Sequence, residues 1–362
     1  MRLIKKLDIY ILKKFLGTFI YSVAIISVII IIFDISEKLE GFLKHHAPFK
    51  LIVMDYYLNF IPYLVNLFSP LFTFISVVFF TSRMAARTEI IAILSSGASF
   101  WRLLYPYMIG AFLIAMLSLY LNNFTIPDAN KVRLRFENTY LNDPSRNENI
   151  NIHKQISPGV YIYMEHFDNF SNTGYRFSLE HIRGQELPYK LMSESIHWDT
   201  AKKTWMIFGY FIRKIYPDGT QKISSGAVKD TALNFTPADF VERLDDVKAM
   251  NYKELNAYIE KKRMEGSTNI ASFEVERDQR TAFPFATFIL TIIGVSLSSR
   301  KVRGGTGLHL GIGLVIAFSF ILFMQISTTF AEGGFISPMV SVWIPNVIYG
   351  ILAYFILRWA PK

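Results

Sequence analysis

The sequence predicts a membrane α-helical protein, with six transmembrane helices and an all-β, jellyroll-like domain inserted between the third and the fourth. Three observations carry this. Of 362 residues 51% are apolar and 15% aromatic, and the apolar residues lie in long uninterrupted blocks. A polar stretch of alternating, β-branched and aromatic runs separates two groups of three blocks. The basic residues gather at one set of block ends. The apolar content excludes a disordered chain, and the absence of cysteine excludes a disulfide-stapled one.

A span needs about 20 mostly apolar residues, because about 1.5 Å of rise per residue must cover hydrocarbon about 30 Å thick. Six blocks meet this: Phe15 to Phe33, Leu58 to Thr81, Trp101 to Leu121, Phe283 to Ser299, Leu308 to Phe330 and Pro338 to Leu357. The first is too long for a signal-peptide core, and no small-x-small cleavage site follows before Asp34 and Glu37. Pro62 and Pro70 in the second span and Pro106 in the third predict kinks. Gly307 and Gly311 place a small-x-x-x-small face on the fifth, a pattern that serves helix packing.

The link Ser82 to Ser99 carries Arg83, Arg87 and Glu89 toward its start, an apolar run Ile90 to Leu94, and Gly97 as a C-cap. It reads as an amphipathic helix under the membrane. Either it merely connects two spans, or it is a lever into a nucleotidase groove, with Glu89 as polar anchor and Ile90, Ile93 and Leu94 as apolar knobs.

The first three spans with their link make residues 1–122, the extramembrane domain 123–280 and the last three spans 281–362. Gly159 to His166, Tyr175 to Ile182, Tyr189 to Trp198, Thr204 to Ile215 and Gln221 to Leu233 read as strands, separated by turn signals such as Asn172-Thr-Gly174 and Pro217-Asp-Gly219. Their regular spacing predicts a sandwich or jelly-roll sheet. A helix from Tyr252 to Met264, ended by Gly266, closes the domain.

Orientation follows from the basic residues, which stay on the cytoplasmic side of short loops. With the N-terminus inside, the inner segments hold 13 basic residues, among them Arg2, Lys5, Lys6, Arg83, Arg87, Arg102, Lys301, Arg303, Arg358 and Lys362, against only Asp8 and Glu89. Residues 123–280 carry 22 basic and 22 acidic residues. The net charge of +9 is thus a topology signal, and nucleic-acid binding loses its support. Both termini are expected in the cytoplasm and the β domain outside.

No Gly-x-x-x-x-Gly-Lys-Ser/Thr loop occurs, so any ATP must be split by a partner. Metal and nucleophile signatures are missing too, and His45-His46, Glu165-His166, Glu180-His181 and Asp245-Asp246 do not form acid/base units on their own. Nothing argues for an enzyme. Mid-depth positions carry neutral groups such as Asn59, Asn66 and Gln325, which weighs against a proton-driven carrier.

Several pieces resemble the lipopolysaccharide-transport ABC exporter permeases of the LptF/LptG (YjgP/YjgQ) type. Arg83 to Ser99 is similar to that family's coupling helix, Leu121-Asn-Asn-Phe-Thr-Ile-Pro127-Asp-Ala-Asn130 to the exit of its third span, Glu276-Arg-Asp-Gln-Arg-Thr-Ala-Phe-Pro284 to the re-entry, and Ser337-Pro-Met-Val-Ser-Val-Trp343-Ile-Pro345-Asn346 to the start of the last span. The resemblance covers nearly the whole chain. It implies an inner-membrane export permease of the Gram-negative cell envelope that extracts lipopolysaccharide and passes it through a periplasmic β-jellyroll to a periplasmic bridge protein. It further implies a second permease, the same chain or a paralogue, and a cytoplasmic ABC ATPase dimer. The chain would hold no cofactor, ATP and magnesium being bound by the ATPase.

By the same resemblance, the first and fifth spans line the lipid cavity, and basic residues near the outer end of the first meet the lipid's phosphates. Here Asp34 and Glu37 occupy that region, so Lys38 and Lys44 are the lysines left for such contact. Other readings are the permease of a lipoprotein or efflux ABC exporter, or a membrane-anchored β-domain scaffold that does not transport.

Overall fold

A computed structural model describes residues 5–141, 149–240, 244–267, 269–300 and 305–360. Arg2, Lys301, Arg303 and Lys362 of the sequence reading lie outside these. Contacts divide the chain into a helical unit, Met1–Leu141 with Val247–Leu255 and Ala271–Lys362, and a sheet unit, Asn142–Asp246 with Asn256–Ile270.

In the helical unit α1 is Lys6–Lys44, α2 Leu58–Leu67, α3 Ser69–Ala86, α4 Glu89–Ser95, α5 Phe100–Tyr120 and α6 Ile126–Tyr140. Later in the chain come α7 (Leu244–Lys248), α8 (Tyr252–Glu265), α9 (Ile270–Ser298), α10 (Gly305–Glu332) and α11 (Pro338–Arg358). Among the described residues six helices are long and apolar enough to cross a membrane. The second span is broken, with Phe68 between α2 and α3 and Pro70 in the first turn of α3, where a missing N–H costs nothing.

Two helices outrun the bilayer. The 39 residues of α1 cover about 58 Å. The third span does not stop at Leu121 but continues through a π-helical turn, Leu121–Thr125, into α6. The boundary drawn at 123 therefore falls within a continuing helix, and contacts place it after Leu141. Composition hid this: Ile126–Tyr140 is polar overall and buries a narrow stripe of Ile126, Ala129 and Phe136. Phe136 packs with Phe42 and Tyr56, and this aromatic cluster ties α1, the segment before α2 and α6 together.

Two further cores hold the spans. Ile11, Phe15, Phe72, Leu103 and Tyr107 form one; Phe74, Ala286, Leu290, Phe320 and Val342 form the other. Several buried polar groups are paired across helices: Thr81 donates to the Tyr107 hydroxyl at 2.9 Å, Ser118 to the Asn66 side-chain oxygen at 2.6 Å, and Asn346 to the Ala282 backbone carbonyl at 3.0 Å. Leaving such groups unpaired in hydrocarbon would cost several kcal/mol each.

The sheet unit is a six-stranded antiparallel meander, β1 (Asn149–Ser157), β2 (Val160–Asp168), β3 (Thr173–Arg183), β4 (Glu186–Asp199), β5 (Thr204–Ile215) and β6 (Gln221–Thr231), each paired with its chain neighbour. The two-sheet topology expected of a sandwich is replaced by one sheet, because every connection is a short turn and none is long enough for a Greek-key return. β1 was not foreseen. One face packs Ile162, Met164, Phe177, Leu191 and Trp205 beneath Phe235 and Phe240 from the chain after β6. The Trp205 indole donates to the Phe235 carbonyl at 2.8 Å. Lys154 and Lys262 share the Glu265 carboxylate at 3.1 and 3.0 Å, a buried triad on that side of the sheet.

Candidate functional site

The segment read as one amphipathic helix over 82–99 is three pieces. Arg83 lies in the last turn of α3 and Arg87 caps it, both exposed. Thr88 then turns the chain at φ 61°, a left-handed conformation costly for a β-branched residue, and α4 begins at Glu89. Gly97, at φ 85°, ends that short helix with its N–H on the Leu94 carbonyl at 3.0 Å, as its cap position required. Ser99 starts α5 by accepting from the Arg102 amide at 3.3 Å.

The apolar stripe faces inward. Ile90 is fully buried in the core of Ile11, Phe15, Met84 and Leu103, and Ile93 and Leu94 pack partly buried against the same core. The spacing i, i+3, i+4 puts the three on one face, and the chain's own bundle occupies it. The apolar side chain that α4 presents outward is Ile91, 50% exposed. Glu89 is tied to the first span: the Tyr10 hydroxyl donates to its carboxylate at 3.1 Å, and the Arg87 guanidinium stands 4.0 Å away. Alongside, Arg102 of α5 pairs with the buried Asp8 of α1 at 2.5 Å. The sequence reading named Asp8 only as a charge and Ile91 only within the run Ile90 to Leu94, and it missed Tyr10, since nothing in the spacing of one helix names its contacts on another.

At the other end of α1, Lys38 is engaged. Its ammonium pairs with Asp34 at 2.9 Å, lies 4.7 Å over the Tyr56 ring and donates to the Tyr56 hydroxyl. Tyr56 and Tyr57 donate to the two Asp34 oxygens at 3.2 and 3.0 Å. Burial, then the Asp34 charge, pushes both phenols above their ordinary range, so they stay protonated donors. Lys44 is exposed in the last turn of α1. Two more cations, unforeseen, stand near Lys38 around the same rings. Arg133 lies 5.4 Å from Phe60 and 5.2 Å from Tyr63, Lys248 lies 5.9 Å from Tyr63, and Lys38 reaches Phe60 at 6.0 Å. A 3.6-residue period, with Ile126, Ala129, Arg133 and Phe136 on one face, is the signal that could have flagged Arg133.

Among the described residues no group of three or more His, Cys, Asp or Glu could hold a metal ion. The chain's six apolar helices and inserted β-sheet domain define a helical membrane protein in which polar side chains such as Tyr10, Asp8 and Arg102 tie helices together. The model of the lipopolysaccharide export system permease LptF/LptG family matches residues 9–359, and the chain belongs to that family. It is a transport permease, an integral component of lipopolysaccharide export. No curated protein matches the chain.

Proposed function

We propose that this chain is the permease subunit of an ATP-driven exporter that takes lipopolysaccharide sideways out of the inner membrane and hands it, by way of the sheet domain, to a periplasmic bridge protein. The full-length family match, spanning both groups of helices and the inserted sheet, carries the reading. A second permease completes the cavity, and a separate ABC ATPase dimer binds ATP and magnesium. The termini face the cytoplasm. In support, the N-terminal end of α1, α4, the start of α5 and the end of α11 share one core, and Lys5, Lys6, Arg83, Arg87, Arg102 and Arg358 belong to these segments.

In this reading the ATPase meets the outward side of α4, with Ile91 as the apolar contact and Arg83 and Arg87 around it. Ile90, Ile93 and Leu94 act on the inward side, passing displacement to α1 and α5. At the opposite end Lys38, Lys44, Arg133 and Lys248 bring positive charge toward the lipid's phosphates, and a bound phosphate competes there with Asp34, 2.9 Å from Lys38, and Glu137, 3.5 Å from Arg133. ATPase closure moves α4, α1 follows, and the apolar cavity contracts around the acyl chains.

Glu89→Arg is a poor probe, because it also breaks the tie to Tyr10. Ile91→Glu is the better one: it should lower recovery of the nucleotidase on the tagged permease about tenfold or more, as expected for loss of an interface anchor, while membrane insertion is unchanged. Undiminished recovery would refute docking through α4.

A further inference from the structure

We propose that the cleft between the start of α5 and the end of α11 is a binding site for an anionic glycerophospholipid of the cytoplasmic leaflet. The proposal rests on the orientation given above. A cavity of about 520 Å³ opens there, with Phe100, Leu357 and Ala360 as its apolar floor and Trp101, Tyr354 and Arg358 at its rim. Phe100 and Ala360 are buried, whereas Trp101 is 67% exposed and Tyr354 56%.

Exposed indole and phenol rings beside apolar surface are the side chains that settle at headgroup depth. The Arg358 guanidinium stands 5.9 Å over the Tyr354 ring, and among the described residues no carboxylate lies within ion-pair distance of it. An occupant must thus bring hydrocarbon for the floor and an anion for the rim. Charge selects its class. The two acids of the neighbouring segments are already bound, Asp8 by Arg102 at 2.5 Å and Glu89 by Tyr10 at 3.1 Å, so the basic residues set the field around the cleft. A net-negative headgroup is attracted by that field, and a zwitterionic one gains only its phosphate contact. The exported lipid is not the occupant, because the cleft lies at the end of the helices opposite Lys38.

The test titrates the delipidated full chain in detergent with dioleoyl phosphatidylglycerol or dioleoyl phosphatidylcholine and reads retained lipid by native mass spectrometry. The intact chain should prefer phosphatidylglycerol about tenfold, Arg358→Gln should abolish the preference, and Arg358→Lys should restore most of it. Equal retention of the two lipids, or full preference in Arg358→Gln, would overturn the proposal. So would loss of nucleotidase recovery in Arg358→Gln with the lipid preference intact, which would make the cleft a protein contact. The chain has no cysteine, so Trp359→Cys labelled by an impermeant maleimide tests the orientation separately. Labelling in intact cells would place this end outside and overturn the leaflet assignment, whatever the lipid preference.

Discussion

Tyr10 and Glu89 are 79 positions apart, yet their hydrogen bond is the polar link between α1 and the short helix α4. Tyr10→Phe removes one hydroxyl and about 0.5–1.5 kcal/mol of interaction, leaving the Ile90–Ile11 packing in place. The expected outcome is normal recovery of the nucleotidase with two- to fivefold less lipid released per ATP, roughly what a loss of that size in coupling would give. Equal release per ATP would show the link to be idle. In the sheet unit, burial would raise the Asp239 carboxyl, but the Thr236 amide at 2.9 Å and the Lys261 ammonium at 3.0 Å hold it below the ordinary range. Its contribution to stability is therefore full above the unfolded value of about 4 and is lost as pH falls through the lower folded value. Amide exchange in the sheet should accelerate on acidification below about pH 4, and Asp239→Asn should flatten that dependence. The residue scale was the least legible in the sequence. Ile90, Ile93 and Leu94 announced an apolar face, but periodicity cannot say whether a partner or the chain's own bundle takes it. For the same reason Lys38 looked available until Asp34, one turn earlier, was seen to hold it.

At the scale of elements, the spans were legible because hydrocarbon demands uninterrupted apolar runs, and the strands because alternation survives in β2 to β5. What stayed hidden has a common cause. α6 buries only a stripe, and β1 (Asn149–Ser157) mixes Ile150, Ile152 and Ile156 with polar neighbours, so neither carries a strong pattern. The β6 edge is exposed along nearly its whole length and was read from β-branched content and the Pro217-Asp-Gly219 turn before it. Contact between elements is densest where side chains are smallest: a Cβ on Gly110 of α5 would collide with the Phe15 ring of α1. Gly110→Val should pry α1 from α5 at a cost of about 1–3 kcal/mol, typical of overpacking. The purified variant should unfold at lower temperature and show faster amide exchange around Phe15. Unchanged exchange there would mean that α1 and α5 do not pack this closely.

For the molecule as a whole, Lys5, Lys6, Arg83, Arg87, Arg102 and Arg358 belong to segments of α1, α3, α5 and α11 that meet, with α4, around one core. The helical unit and the sheet unit answer different needs: the first ties helices with buried polar groups such as Thr81, Ser118 and Asn346 inside apolar surface, the second builds its own core around Trp205. The sequence has no Gly-x-x-x-x-Gly-Lys-Ser/Thr loop, and in the proposed function work enters from another polypeptide. The most direct measurement of that claim places the purified permease pair in lipopolysaccharide-loaded vesicles and follows both nucleotide hydrolysis and lipid release, with and without the separately purified ATPase. Both activities should appear only when the ATPase is present. Hydrolysis by the permease pair alone, or release that proceeds without the ATPase, would contradict the account.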